Sequence, residues 1–147
     1  MAQQYVLDSS GLIAYFDDVF HQTKRLSAKV TSLIAEALYS HGTPIRLTVP
    51  SVVFVEVFEK WLVTEEMLRK FYYEVFVPID SSPNIEIRSI EQEVLETLLT
   101  IGAPLDKHEI NDKIILASAL ALNCQLITCD PLIASYVDTH GLPSVVW

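Results

Sequence analysis

Short apolar runs alternating with amphipathic helical stretches predict an α/β domain with a central, mostly parallel sheet flanked by helices. Three observations carry that expectation. Tyr5-Val6-Leu7, Ile45–Val49 and Gln125–Thr128 are brief apolar segments, and each runs into a stretch of helical periodicity. This alternation of strand and helix argues a parallel sheet with helices on both faces. The chain has 147 residues, half of them hydrophobic, enough to build one core, so a single domain over residues 1–147 is expected.

The elements follow in order. Tyr5-Val6-Leu7 ends at Asp8, and Ser9-Ser10-Gly11 leads into the apolar run Leu12–Phe16, a strand that stops at a cap and passes into a helix. From about Thr23 to Ser40, Leu26, Val30, Leu33, Ile34, Ala37 and Leu38 recur at helical spacing, with His41-Gly42 as the stop. Ile45–Val49 is a second strand, and Val52–Val63 a further helix. Thr64-Glu65-Glu66 opens another helix with Thr64 as its cap. Residues 75–79 read as extended, with Pro78 favouring an edge. Ser89–Ile101 is helical and is stopped by Gly102 and Pro104. Asn111–Leu122 is a helix with a small-residue face. Gln125–Thr128 is a strand leading to Asp130, which caps a helix with Pro131 at its first position. Val145–Trp147 is a last strand. No repeat, linker or low-complexity tract interrupts the series.

Composition excludes several classes. No apolar run is long enough to span a membrane, and the N-terminal stretch lacks the basic flank of a signal peptide, so a cytoplasmic protein is expected. The net charge is −9, and it is uneven: residues 1–73 hold 8 acidic against 7 basic residues, residues 74–147 hold 11 against 3. A general basic face for nucleic acid is therefore excluded, and any such contact must be local, with Lys24, Arg25 and Lys29 the densest basic group. The two cysteines, Cys124 and Cys129, flank a strand and are expected to be buried, reduced and unbridged.

Four acidic residues occupy positions that the fold directs toward one end of the sheet. Asp8 and Asp130 follow strands, where ligands of open α/β sheets sit. Glu56 is embedded in Val52-Val53-Phe54-Val55-Glu56-Val57-Phe58, and Asp112 opens an apolar helix. Each has an ordinary structural explanation when taken alone. Asp8 and Asp130 can cap helices, and Asp112 can complement a helix dipole. Glu56 is hardest to explain that way. Burying four carboxylates is costly without compensation, and the segments carry too few basic residues to pair them all. A hard divalent cation, Mg²⁺ or Mn²⁺, would compensate them, because it prefers oxygen ligands.

These residues lie in a familiar order. Val6-Leu7-Asp8-Ser9-Ser10 resembles the opening motif of PIN-domain nucleases, an Asp ending the first strand with a hydroxyl two residues on. Pro50–Glu56 is similar to the second motif, Asn111–Leu120 to the third, and Leu126–Asp130, a strand ending in Thr-x-Asp, to the fourth. The ordered set is more specific than any one motif. The resemblance implies a PIN-like domain with the activity of a metal-dependent endoribonuclease, as in VapC-type toxins of toxin–antitoxin pairs. It implies that Asp8, Glu56, Asp112 and Asp130 are catalytic and bind one or two Mg²⁺ or Mn²⁺, and that Ser10 and Thr128 orient those ligands. It also implies RNA as substrate, an antitoxin protein as partner, and a homodimer.

Other candidates are weaker. Glu59 is three residues after Glu56 and could share its face. Asp17 and Asp18 read as a solvated turn. Asp106, His108 and Glu109 read as a surface loop, and His21, His41 and His140 fall in turns. Tyr72-Tyr73 and Trp61 suit core or dimer packing better than base stacking. A haloacid-dehalogenase-like phosphatase would need a second Asp two residues after Asp8, where Ser10 stands. A receiver-like phospho-acceptor domain lacks its paired acids and late lysine. A non-catalytic or weakly active PIN-like binding module is the remaining alternative.

Overall fold

The computed structural model describes residues 3–22, 26–101, 110–139 and 145–146. Five parallel strands form one sheet: β1 (Gln3–Leu7), β2 (Ile45–Pro50), β3 (Ile85–Arg88), β4 (Gln125–Ile127) and β5 (Val145–Val146). Their order is β3-β2-β1-β4-β5. The chain thus builds outward from β1 in one direction, then returns to add β4 and β5 on the other side. The strand order reverses between β1 and β4, and the cleft beyond the carboxyl ends of such neighbours is where α/β sheets bind ligands.

The central strands are buried: Val6, Leu7, Leu47, Val49, Leu126 and Ile127 are all at most 2% exposed. Strand β1 passes directly into α1 (Ser9–Tyr15), followed by α2 (Asp17–Phe20). Asp17 and Asp18 therefore open a second short helix rather than forming a turn, and their carboxylates complement its amino end. Helix α3 (Ala28–Tyr39) begins later than its periodicity suggests, because Ser27 caps it by accepting from the Val30 amide at 3.2 Å. Thr23 to Arg25 lie outside the described residues. Strand β2 runs without a loop into α4 (Ser51–Lys60), which buries Val52, Val53, Phe54, Glu56 and Val57.

The largest departure from expectation lies at residues 72–88. After α5 (Glu65–Phe71), capped by Thr64 as expected, the backbone widens into a π-helical turn, Tyr72–Phe76, and continues as α6 (Val77–Ser81). Residues 75–79 are therefore helical, not extended. Pro78 follows directly on the π-helical turn inside this continuous helical stretch, where its missing N–H accompanies the widened backbone. The edge strand is instead β3, which follows Ser82-Pro83-Asn84. Helices α7 (Gln92–Ile101), α8 (Ile110–Leu122) and α9 (Pro131–Thr139) complete the fold. An aromatic cluster, Phe20, Phe54, Phe58, Phe71 and Trp61, ties α2, α4 and α5 together through edge-on contacts of about 6 Å between ring centres. That packing fixes the position of α4 and hence of the acidic residue it carries.

Candidate active site

Asp8 is placed by the strand–helix junction. Its amide donates to the Ile127 carbonyl at 3.1 Å, which locks it to the end of β4. Its side chain caps α1, with Oδ1 accepting from the Gly11 amide at 2.7 Å and the Ser10 hydroxyl at 2.8 Å. The residue is 4% exposed, and burial is the largest cause of a pKa pushed up to about 6. Hydrogen bonds from Thr128, Gly11 and Ser10 pull it back, and the nearby Asp112 adds a smaller upward push.

A hydroxyl bridge joins the first strand to the fourth. Ser10 Oγ lies 3.4 Å from Thr128 Oγ1 and accepts from the Cys129 amide at 2.9 Å. Thr128 Oγ1 accepts from the Asp130 amide at 3.0 Å. Asp130 caps α9 by accepting from the Leu132 amide at 2.9 Å. Ser10 and Thr128 thus hold Asp8 and Asp130 in fixed relation. Cys129 is only half-buried, because it leaves the sheet at this junction; Cys124 is buried, and neither is bridged.

Glu56 is buried, and its two oxygens are held differently. Oε2 accepts from the Ser9 hydroxyl at 2.7 Å, and Oε1 lies 3.3 Å from Lys60 Nζ. Lys60, one turn along the same helix, pairs with this one carboxylate and leaves too few basic residues for all four, as expected. Asp112 is half-buried in the first turn of α8.

All four carboxylates line one cavity of about 280 Å³, together with Ser9, Ser10, Gln22, Lys60 and Trp61. Glu59 is exposed and does not line it. Trp61, read from sequence as core or dimer packing, does line it while also meeting Phe20 edge-on. Asp106, His108, Glu109 and His140 lie outside the described residues. Among the described residues, no three Asp, Glu, His or Cys side chains stand close enough together to share one ion. The donor chemistry nonetheless fits a hard cation: the lining carboxylates offer oxygen alone, and the hydrogen bonds to the buried Asp8 come from hydroxyls and an amide. A larger hollow of about 630 Å³ lies at the opposite ends of the strands, between Gln3, Gln4, Tyr5, Lys29, Asn123 and Gln125. It gathers amides, one lysine and one tyrosine but no carboxylate, so the acidic cavity is the site with oxygen ligands for a cation.

Residues 5–137 match the PIN domain family. The chain belongs to that family. Solved structures similar to this PIN domain include VapBC-1 from nontypeable Haemophilus influenzae (TM-score 0.63, 17% identity, 99% of this chain and 98% of that chain covered). FitAcB from Neisseria gonorrhoeae is also similar (0.61, 16%, 97% and 96%), as is VapBC2 from Rickettsia felis bound to a promoter DNA fragment (0.60, 15%, 98% and 96%). At those identities the likeness concerns the fold. No curated protein sequence matches the chain. No helix among the described residues of this PIN domain is long and apolar enough to cross a membrane.

Proposed function

We propose that this PIN domain is a metal-dependent endoribonuclease, the whole chain 1–147 acting as one unit. The observation that carries the proposal is the convergence of Asp8, Glu56, Asp112 and Asp130, from four separate elements, on one cavity beyond the carboxyl ends of β1 and β4. In this reading the four are catalytic and hold one or two Mg²⁺ or Mn²⁺. A bound divalent ion supplies a lowered pKa for water and positive charge at a scissile phosphate. The protein's own groups do the rest. Ser10 and Thr128 fix the orientation of Asp8 and the backbone at Asp130, and Ser9 holds Glu56 toward the cavity. The raised pKa of Asp8 also belongs to this account: binding a cation keeps the carboxylate ionised where burial alone disfavours it.

The biological role we infer is that of the toxin in a toxin–antitoxin pair, acting on RNA in the cytoplasm and assembled as a homodimer. Support comes from the complexes that share the fold, among them a toxin–antitoxin complex from Klebsiella pneumoniae (TM-score 0.51). Further support comes from exposed large apolar side chains, including Val55, Phe58, Val63 and Tyr73, which suit a protein partner. A second reading, a binding module without catalysis, is favoured by the tie between Glu56 and Lys60 and by the separation of the acids.

Cleavage decides between the two. A panel of single-stranded and structured RNAs incubated with Mn²⁺ should be cut by the wild type, with Glu56→Gln reduced by about a hundredfold or more. No products from either would leave the binding-module reading, and equal products from both would remove Glu56 from the catalytic set.

A further inference from the structure

Lys60 is the only basic side chain among the described residues lining the acidic cavity. It stands one helical turn after Glu56, with Nζ 3.3 Å from Oε1, and its side chain is 39% exposed against 11% for Glu56. The ammonium therefore sits at the solvent side of a buried carboxylate, on a flexible stem that can reorient without moving α4. The surroundings give it a second task. The chain carries a net charge of −9, and Asp8, Asp112 and Asp130 share the cavity, so an approaching phosphodiester backbone meets a repulsive field. A divalent ion and the ammonium compete for Glu56, since both draw on the same carboxylate.

We propose that Lys60 is a phosphate-positioning residue, an internal cation that rests on Glu56 and turns to the RNA backbone when a divalent ion takes the carboxylate. The inference rests on the nuclease reading of this cavity. A lysine suits the task because it binds phosphate as a compact point charge and need not form a planar pair. Trp61, next in sequence, also lines the cavity and offers an aromatic surface on which a base could stack.

The proposal predicts opposite effects on two ligands, which a merely structural role would not produce. In Lys60→Met, which keeps most of the stem, Mn²⁺ should bind about three- to fivefold tighter, because its competitor at a partly exposed pair is gone. A short fluorescent single-stranded RNA, measured in Ca²⁺ before any cleavage is detectable, should bind about fivefold more weakly. The slope of log affinity against log salt should shrink by about 0.7, the share of one phosphate contact. Lys60→Arg keeps the charge and should keep the RNA affinity and slope. Melting curves confirm that both variants are folded. Mn²⁺ binding unchanged or weaker in Lys60→Met, or a salt slope equal to that of the wild type, overturns the proposal while leaving the metal site intact. If the wild type itself takes up no Mn²⁺, the nuclease reading fails and the role of Lys60 fails with it.

Discussion

Asp8 carries a stability cost that its position makes unavoidable. Burial raises its carboxyl from the ordinary 3.8 to about 6 in the folded chain, so between those values the folded state holds the proton that the unfolded state releases. Stability of the metal-free protein therefore falls as pH rises through that window, and the loss, about 3 kcal/mol, is complete about one unit above the folded value, near pH 7. Thermal melts in EDTA across the window should show this limb, and Asp8→Asn should flatten it and melt higher at neutral pH. An Asn oxygen still accepts from the Gly11 amide, so the cap survives. A limb of equal depth in the variant would assign the titration elsewhere. The dominant cause is desolvation rather than repulsion among the acids. Glu56 was legible as buried because its neighbours are valines and phenylalanines. Its partner Lys60 was not, because counting charges over a segment says nothing about which one lies four residues along a helix. Ser9, which holds the other oxygen of Glu56, had no signal beyond its nearness to the cap.

At the level of elements, the junctions that bear the site are tight. A Cβ on Gly11 would meet Leu7 Cδ1 at 2.8 Å, and Asp8 Oδ1 and Ile127 Cγ2 at 3.3 Å. Leu7 is itself 2% exposed and has little room to yield. Gly11→Ala should therefore cost about 1 to 3 kcal/mol in urea melts and should weaken Mn²⁺ binding by displacing Asp8. A neutral substitution would contradict this packing. Thr64→Ala removes the cap that accepts from the Met67 amide and should cost about 1 kcal/mol, with no effect on Mn²⁺ affinity. The strand–helix junctions were readable because apolar runs end at Asp8, Pro50 and Asp130. Residues 72–88 were not. Pro78 reads equally well as an edge strand or a helix start, and tertiary packing of Phe71, Val75 and Ile79 decides for the helix. Ile85-Glu86-Ile87-Arg88 does alternate, and that alternation was the available sign of β3, but four residues give a weak period.

For the whole molecule, the sheet order puts two acidic junctions side by side, and α4 and α8 bring the other two acids to them. The architecture was legible because strands and helices alternate along the chain. The expectation of convergence rests on the carboxyl-end rule and on family resemblance, and all four residues line one cavity. The spacing of side chains around that cavity lies beyond what periodicity can specify. A protein holding four acids against one lysine there, with a net charge of −9, should respond to a divalent ion as a whole. Mn²⁺ at about a hundred times its dissociation constant should add about 2.7 kcal/mol of stability, lost again in EDTA. The most direct measurement is Mn²⁺ uptake by electron paramagnetic resonance, which follows the signal of the free ion. The wild type should deplete that signal saturably, and Asp8→Asn and Glu56→Gln should each lose affinity by about tenfold or more. A wild type that leaves the signal unchanged, or variants that deplete it equally, would contradict a metal centre built on these carboxylates.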